Sequence, residues 1–319
     1  MHKFLVTGGA GFIGSNLCEK LLKQGHRVVV FDNLSNGKEE NMKEFIDSIE
    51  FIKGDIRDKS AVERAVKDID YVIHLAALGS VPRSIEDPST THEVNVTGTL
   101  NVLDAARNTG IKRVVYASSS SVYGDTPVLP KKEDMFPTPL SPYAVSKLSG
   151  EYYCRAFYQV YGLETVALRY FNVYGKRQDP ASQYAAVIPI FINSLLKDHG
   201  PTIYGDGEQT RDFTFVDDCN QANIKACFAA GCAGRYFNIG YGSRTSINKL
   251  FQKIKNLIHK KIEPSYAPPR KGDVKDSLAD ISKAVEMLSY KPEYNIDAGI
   301  ERTVQWYMDT YRGMEPKRT

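Results

Sequence analysis

The stretch "KFLVTGGAGFIGSN", residues 3–16, decides the fold of this chain. Its apolar beginning predicts a strand, and an amphipathic helical pattern begins at about Phe12. Between them, Gly8, Gly11 and Gly14 follow the spacing G-x-x-G-x-x-G. Glycine at these positions permits a tight turn and a close approach of the backbone to a pyrophosphate, which then faces the positive end of the helix. The stretch therefore predicts a strand–turn–helix unit that binds a dinucleotide.

An acidic residue follows the second predicted strand, "RVVVF" at residues 27–31. The carboxylate of this residue, Asp32, can bind the ribose hydroxyls of an adenosine and repels a 2′-phosphate, so it favours NAD over NADP. Asp55 ends the third predicted strand, "EFIKGD" at residues 50–55. Its carboxylate can hold the adenine amino group, or it can simply terminate the turn that follows Gly54.

Apolar strands and helical patterns continue to alternate along the chain. Strands are predicted at 71–76, 113–118 and 164–171, and helices at 60–68, 93–108 and 142–162. Nearly continuous apolar strands predict a parallel sheet covered by helices on both faces. The predicted fold class is α/β, a Rossmann-type doubly wound parallel sheet with a smaller C-terminal α/β lobe. We assign residues 1–172 to an NAD-binding domain, to which some later segments return, and residues 173–319 to the lobe that binds the substrate.

The composition excludes several classes of function. The 319 residues are 42% hydrophobic and 25% charged, and the net charge is +3, which gives no argument for nucleic acid or a membrane surface. No apolar run approaches the ~18–20 residues of a membrane span, and the N-terminus shows no signal-peptide pattern. The 5 cysteines form no C-x-x-C motif, and the 6 histidines show no metal-ligand spacing. We therefore predict a cytoplasmic protein with reduced thiols and no metal.

A row of serines, "ASSSSVYG" at residues 117–124, ends a predicted strand, and Tyr143 and Lys147 follow at the start of the next helix. Positions i and i+4 share one helix face. An unperturbed tyrosine has a pKa of ~10, too high for a base at neutral pH. A lysine ammonium one turn away stabilises the phenolate and lowers this pKa. The pair therefore predicts a catalytic base and its cation.

Taken together, these motifs resemble the extended short-chain dehydrogenases/reductases, and within them the NAD-dependent UDP-sugar 4-epimerases. The closest resemblance is to the branch that acts on UDP-N-acetylglucosamine. The matching segments cover the chain from residue 6 to about residue 285: "VTGGAGFIGSNL", "FDNLSNG", "GDIRD", "HLAALGSVPRSI", "NVTGTLNVLDAA", "ASSSSVYG", "SPYAVSKLSGE", "RYFNVYGKRQDP", "YGDGEQTRDFTFVDD" and "RKGDVKDSLADISKA".

The resemblance implies a mechanism. Tyr143 would take the proton from the sugar 4-hydroxyl while C4 gives hydride to NAD+. The 4-keto sugar would then turn its other face to the cofactor and receive the hydride back, which inverts C4. Lys147 would support Tyr143 and bind the nicotinamide ribose, and Ser119 would hydrogen-bond the reacting 4-oxygen. The cofactor is regenerated in each turnover, so NAD is expected to stay bound.

The resemblance also implies the residues that contact each ligand. The implied NAD contacts are Gly8, Gly11, Phe12, Ile13, Gly14, Asp32, Asn33, Asn36, Gly37, Asp55, Ile56, Leu75, Ala76, Ala77, Asn95, Ser118, Tyr143, Lys147 and Phe171. The implied UDP-sugar contacts are Gly79, Ser80, Ser119, Ser120, Ser121, Tyr143, Asn172, Gln178, Ala186, Val187, Arg211, Arg270, Asp273 and Ser277. Among these, Arg211 and Arg270 would bind the diphosphate, because the arginine fork suits bidentate contacts to its oxygens. Asp273 would hold a hydroxyl of the nucleotide ribose.

The preferred sugar is inferred from the size of one residue. Ser277 stands where epimerases limited to non-acetylated sugars carry a large tyrosine, so a small residue there leaves room for a 2-acetamido group. Gly79-Ser80, Gln178 and Ala186 also resemble the branch acting on N-acetylated sugars. We therefore predict interconversion of UDP-GlcNAc and UDP-GalNAc, with activity on UDP-Glc and UDP-Gal.

Several alternatives stay open at this point. A UDP-glucose 4-epimerase restricted to non-acetylated sugars, a UDP-uronate epimerase or decarboxylase, and a dinucleotide-sensing regulator share parts of the pattern. A regulator would be expected to lose Tyr143 or Lys147, and this chain keeps both. A 4,6-dehydratase reads T-D-E where this chain has Ser119-Ser120-Ser121, and hydroxyls cannot replace those carboxylates. The resemblance further implies a homodimer, formed by the helices around 95–108 and 143–160.

Overall fold

A computed structural model describes residues 1–180, 186–269 and 274–314 of the chain. Its strands are β1 Lys3–Thr7, β2 Arg27–Asp32, β3 Glu50–Lys53, β4 Tyr71–His74, β5 Arg113–Ser119, β6 Thr165–Tyr170, β7 Val173–Tyr174, β8 Thr202–Tyr204, β9 Thr210–Arg211, β10 Thr214–Phe215, β11 Arg235–Ile239, β12 Thr245–Ser246 and β13 Ser265–Ala267. Its α-helices are α1 Phe12–Lys23, α2 Lys59–Ala65, α3 Val81–Glu86, α4 Pro88–His92, α5 Gly98–Arg107, α6 Pro142–Tyr161, α7 Val187–Leu196, α8 Val216–Phe228, α9 Ile247–Ile258, α10 Ser282–Leu288 and α11 Ile296–Met314.

The central element is a seven-stranded sheet with the order β11-β6-β5-β4-β1-β2-β3. Every strand pair in it is parallel; Leu5 of β1, for example, lies between Val29 of β2 and Val72 of β4. The chain winds outward from β1 in both directions, which places a crevice at the carboxyl ends of β1 and β4. The predicted α/β fold with a Rossmann-type parallel sheet is therefore confirmed.

Alternate residues of β1 face opposite sides of this sheet, as the period of a strand requires. Phe4 and Val6 are fully buried in a core formed with α1 and α8. Leu5 is buried in a second core formed with α2, α5 and α6. Because both faces are covered by helices, the strand reads as a continuous apolar run in the sequence.

The later part of the chain builds a third apolar core among α7, α9 and α11. Three short strand pairs, β10 with β7, β12 with β9 and β13 with β8, accompany it. The chain also returns to the central sheet, because β11 pairs with β6. The division into two domains at residue 172 stays a prediction.

No helix within the described ranges is long and apolar enough to span a membrane. All cysteines are free and buried, and within the same ranges no group of His, Cys, Asp or Glu side chains could hold a metal ion.

Candidate active site

A large cavity opens at the carboxyl edge of the sheet, where the loops after β1, β2, β4 and β5 meet the start of α6. Its volume is about 1160 Å³, which exceeds the ~300–1,000 Å³ typical of a site for one small molecule. The glycine turn lines one end, and residues from β9 and the segment 274–277 line another. The cavity therefore has room for two ligands side by side.

The glycine turn has a shape that side chains would destroy. Gly8 has a φ of +71°, and a Cβ on it would lie 2.7 Å from the amide nitrogen of Ala76. A Cβ on Gly14 would lie 2.2 Å from the carbonyl oxygen of Gly8. Gly11 caps α1 without any side-chain hydrogen bond. The turn therefore presents glycine backbone to the cavity at Gly8, Gly11 and Gly14, which is the cradle that a dinucleotide pyrophosphate requires.

Asp32 stands at the end of β2 beside this turn. Its carboxylate accepts hydrogen bonds from the backbone amides of Ala10, at 3.0 Å, and Leu34, at 2.8 Å. Burial raises the pKa of Asp32, and these two amide donors act against that shift. Each carboxylate oxygen keeps a further lone pair, so Asp32 can still accept from a ribose hydroxyl.

Asp55 also lines the cavity, next to Arg57 and Asn33. Hydrogen bonds from Arg57 are the main reason that the pKa of Asp55 is lowered to about 2, although burial opposes them. Asn33 adds a hydrogen bond from Nδ2 at 2.9 Å. The carboxylate is therefore ionised at neutral pH and can accept from an amino group.

Most residues expected to contact NAD share this cavity. Those that line it are Gly8, Gly11, Phe12, Ile13, Gly14, Asp32, Asn33, Asn36, Gly37, Asp55, Ile56, Leu75, Ala76, Ala77, Ser118, Tyr143, Lys147 and Phe171. Together with the glycine turn, these residues fit an NAD molecule.

Asn95 differs from the others because it lies behind the cavity wall. It belongs to a π-helical turn, Glu93–Thr97, that precedes α5. Its side chain accepts from the amide of Leu78 at 2.8 Å and donates to Oγ of Ser146 at 3.0 Å. Asn95 therefore holds the wall segment that leads into Gly79 rather than facing the cavity itself.

The predicted catalytic residues come from two neighbouring elements. Ser119 is the last residue of β5, and Tyr143 and Lys147 lie on the first turns of α6, which begins at a Ser141 cap. The ammonium nitrogen of Lys147 is 5.9 Å from the ring centre of Tyr143 and donates to the carbonyl oxygen of Ala117 at 2.8 Å. All three side chains line the cavity.

Burial dominates the electrostatics of this group. It raises the pKa of Tyr143 above the ordinary value, while a hydrogen bond with Ser119 acts in the opposite direction. Burial also lowers the pKa of Lys147 to about 8. A tyrosine with a raised pKa keeps its proton at neutral pH, so base catalysis by Tyr143 depends on positive charge placed close to it.

The residues expected to contact the UDP-sugar lie mainly at the other end of the cavity. Those that line it are Gly79, Ser80, Ser119, Ser120, Ser121, Tyr143, Asn172, Gln178, Ala186, Arg211 and Ser277. Val187 lines an adjoining cavity of about 560 Å³, which shares Asn172, Ala186 and Arg211 with the first. Arg270 and Asp273 lie outside the described residues.

Three buried polar atoms on the cavity wall are unsatisfied. Oγ of Ser121, Oε1 of Gln178 and Oγ of Ser277 have no hydrogen-bond partner among the described residues. Buried polar groups in native proteins almost always have a partner. Each atom is itself buried, so a polar ligand in the cavity could bond to it only after its side chain rotates.

Two residues that shape the substrate end, Lys131 and Asp212, were not predicted. Lys131 lines the cavity and is buried, and its ammonium group donates to the carbonyl oxygen of Thr126. Asp212 accepts backbone hydrogen bonds from Tyr241, at 2.9 Å, and Ala279, at 3.0 Å. Its position directly after Arg211 was the only available signal. Lys131 had none, because it sits in an irregular polar loop.

A parallel sheet with a glycine turn and a tyrosine–lysine pair at its carboxyl edge defines a dinucleotide-dependent enzyme of the short-chain dehydrogenase/reductase type. Residues 4–240 match the NAD dependent epimerase/dehydratase family. The chain therefore belongs to this family, and the predictions of an enzyme and of NAD as its cofactor are confirmed.

Individual relatives agree with this assignment. A UDP-glucose 4-epimerase of Mycolicibacterium smegmatis is 42% identical over 307 residues, which cover 95% of this chain and 97% of that protein. The solved structure of a UDP-N-acetylglucosamine 4-epimerase from Methanobrevibacter ruminantium, in complex with UDP-N-acetylmuramic acid, is 42% identical, with a TM-score of 0.93 over 97% of this chain and 99% of that one. A UDP-glucose 4-epimerase from Thermotoga maritima, solved with UDP-glucose, is 40% identical, with the same TM-score and coverage.

Proposed function

We propose that this chain is an NAD-dependent UDP-sugar 4-epimerase that interconverts UDP-GlcNAc and UDP-GalNAc and also accepts UDP-Glc and UDP-Gal. The observation that carries the proposal is the meeting of Ser119, Tyr143 and Lys147 in one cavity with the glycine turn. Arg211 on the same cavity offers a cation for a diphosphate. The relatives described above, which include both UDP-glucose and UDP-N-acetylglucosamine 4-epimerases, support it.

The chemistry follows from the roles that the side chains can take. NAD, when bound, supplies a hydride acceptor and donor at the sugar C4. Tyr143 would accept the proton of the 4-hydroxyl and later return it from the same position. Lys147 would stabilise the phenolate form of Tyr143 by its charge. Ser119 would hold the 4-oxygen by a hydrogen bond, so that one tyrosine serves both directions of the reaction.

The preference for an acetylated sugar rests on the wall around Ser277. This residue is small, lines the cavity and leaves its hydroxyl unsatisfied among the described residues. Gln178 offers an unsatisfied carbonyl oxygen on the same cavity. An acetamido group brings an N–H donor and a carbonyl acceptor, which match these two partners. The wall therefore suits a 2-acetamido substituent in both size and polarity.

Lys131 gives a specific reason to keep a UDP-uronate as the second candidate substrate. Its buried ammonium group lies on the cavity wall and has spare donors after its bond to Thr126. A sugar carboxylate would pair with such a cation. Dehydration is disfavoured, because Ser120 and Ser121 offer hydroxyls where that reaction needs carboxylates.

The test is an assay of the purified protein with UDP-GlcNAc, UDP-GalNAc, UDP-Glc, UDP-Gal and UDP-glucuronate, with products resolved by chromatography. We expect NAD to copurify and both acetylated sugars to be converted to one mixture, without accumulation of NADH. Bound NAD with no change in any of these sugars would contradict the epimerase assignment. If UDP-glucuronate is the only sugar nucleotide converted, the proposed acetylated substrate is wrong and a UDP-uronate takes its place.

A homodimer is part of the proposal. Val145, Tyr152 and Val160 recur on one face of α6 and are 49%, 54% and 70% exposed. Such an apolar stripe on a helix suits packing against the same helix of a second copy. We expect the unmodified protein to sediment as a dimer and Tyr152→Glu to sediment as a monomer. The control is Lys67→Glu, which lies beyond the end of α2 and should remain a dimer. A monomeric unmodified protein would contradict it.

The proposed cellular location is the cytoplasm, and the proposed organisation is an NAD-binding domain followed by a substrate lobe. The buried free thiols suit a reducing compartment. The third apolar core supports a separate lobe, because it is formed by α7, α9 and α11 away from the main sheet.

A further inference from the structure

Glu151 is a buried carboxylate that lies outside the cavity, one helical turn after Lys147 on α6. It accepts a hydrogen bond from Oγ of Ser118 at 2.5 Å. It also accepts a bidentate pair of bonds from Arg169 of β6, at 2.9 Å from Nε and 2.7 Å from Nη2. Ser118 directly precedes Ser119, so this network ends beside a predicted catalytic residue.

The ion pair of Glu151 and Arg169 is deeply buried, and a buried ion pair is weak evidence for stability. Both side chains are 1% exposed, and the arginine also lies 4.7 Å from the ring of Tyr123 and 4.2 Å from that of Tyr236. Desolvating two charges offsets most of their attraction, so apolar residues of similar volume stabilise a core equally well or better. What this pair does supply is a fixed, bidentate contact between α6 and β6.

The network completes a set of contacts that fix α6 on β5. Tyr116 packs against Gly150, where a Cβ would come within 2.3 Å of the tyrosine hydroxyl. The carbonyl oxygen of Ala117 accepts from Lys147 at 2.8 Å. Ser118 then bonds Glu151. Tyr116, Ala117 and Ser118 are the three residues of β5 that precede Ser119, and each of them contacts α6.

We propose that Glu151, held by Arg169, is a positioning residue that sets the place of α6 on β5 and so the distance between Ser119 and Tyr143. Glu151 acts through Ser118 and touches neither ligand. The inference rests on the proposed epimerase reaction, in which Ser119 and Tyr143 must reach the same sugar oxygen. A small displacement of one element would then slow the chemical step and leave ligand binding nearly unchanged.

The test compares Glu151→Gln, Ser118→Ala and the double variant with the unmodified enzyme. We expect kcat to fall about tenfold in each single variant while KM changes less than about twofold, since an interaction that serves only the transition state was lost. The double variant should lose no more than Glu151→Gln alone, because both changes break one contact. Copurified NAD and the thermal unfolding midpoint are measured on every protein.

The matched control is Glu164→Gln, which removes the partner of Arg113 at the opposite end of β5, where the two side chains lie 2.5 Å apart. It should leave kcat unchanged. A folded Glu151→Gln with unmodified kcat, or additive losses in the double variant, would overturn the inference. If Glu151→Gln does not fold, Ser118→Ala decides, because it breaks the hydrogen bond to Glu151 and leaves the ion pair with Arg169 in place. Ser118 also lines the cavity, so this variant counts only if its copurified NAD is unchanged, and a normal kcat in it would also overturn the inference. Failure of the unmodified enzyme to convert any UDP-sugar would instead refute the proposed function.

Discussion

At the scale of one residue, the surroundings of Tyr143 determine the pKa of its phenol. Its phenol lies in a buried site that raises its pKa, and Ser119 and Lys147 are the groups placed to counter this effect. Tyr143 lies in the first turn of α6, which is capped by Oγ of Ser141 accepting from the amide of Ala144 at 3.2 Å. Tyr143 and Lys147, the proposed base and its cation, therefore share one capped helix start.

Tyr143→Phe removes the hydroxyl and keeps the ring. We expect kcat to fall by about 10²-fold or more, as loss of a general acid–base group does. Steady-state assays with UDP-GlcNAc check this, and Tyr152→Phe, an exposed tyrosine of the same helix, is the matched control. Unchanged turnover in Tyr143→Phe would remove Tyr143 from the mechanism.

Ser277→Tyr fills the space beside residue 277 in which we propose that an acetamido group binds. We expect kcat/KM for UDP-GlcNAc to fall about 100-fold while kcat/KM for UDP-Gal changes little, since only the larger substituent meets the new ring. Ser277→Ala is the control that keeps the space, and it should retain both activities. Equal losses on the two sugars in Ser277→Tyr would mean that the residue serves the fold rather than substrate selection.

At the scale of an element, the turn between β1 and α1 is shaped by backbone contacts. The amide of Gly8 donates to the carbonyl oxygen of Phe31 at 2.9 Å, and that of Gly11 donates to Gly8 at 3.1 Å. The first bond ties the turn to β2, next to Asp32. The turn is therefore joined by a hydrogen bond to the strand that carries Asp32, in agreement with a prediction that combined the glycine spacing, the strand–turn–helix pattern and this acid.

Gly14→Ala places a methyl group 2.2 Å from the carbonyl oxygen of Gly8. The turn must move, so we expect a loss of stability of about 1–3 kcal/mol. We also expect affinity for NAD to fall at least about tenfold. Thermal unfolding and the NAD released from purified protein measure the two effects.

Gly110→Ala is the matched control, because no described heavy atom lies within 4 Å of the added Cβ. It should keep both stability and NAD. A normal NAD content in Gly14→Ala would contradict the role given to the turn.

At the scale of the whole molecule, charged contacts join α1 to the loop that follows β7. Glu19 accepts from Lys176 and Arg177 at 2.8 Å each, and from Lys23 of its own helix at 2.6 Å. Lys38 also meets Asp179 at 2.7 Å across the cavity mouth. These contacts connect the cofactor end of the cavity to the segment that carries Gln178.

Glu19→Gln tests this connection through its pH dependence. Burial acts to raise the pKa of Glu19, but the hydrogen bonds and charges of its basic partners outweigh it and lower the pKa to about 2. A carboxyl whose folded pKa lies below its unfolded value stabilises the fold above the unfolded pKa and loses this effect as the pH falls. Solvent screening reduces what such a shift contributes, so we expect a destabilisation of about 1–2 kcal/mol at pH 7, falling to roughly half at pH 3.

Urea denaturation at the two pH values measures this difference. Glu40→Gln is the control, because its pair with Lys43 is exposed and should contribute almost nothing. An equal effect of Glu19→Gln at both pH values would show that the carboxyl is not perturbed.

The sequence by itself determined the parallel sheet, the glycine turn with Asp32 and the tyrosine–lysine pair. These features are encoded locally, in the periodicity of strands and helices and in the spacing of a few residues within one turn or one helix face. It also marked Ser119 and Ser277 as candidates, and both line the cavity.

Only the tertiary structure decided which side chains meet across long stretches of chain. It placed Asn95 behind the cavity wall, brought Lys131 onto that wall and joined Glu151 to Arg169. Polar residues of this kind carry no periodic signal, and they are exposed or buried according to how β5, β6 and α6 pack. Their partners are fixed by long-range packing, because burying a polar group is tolerable only where another element supplies its hydrogen bond.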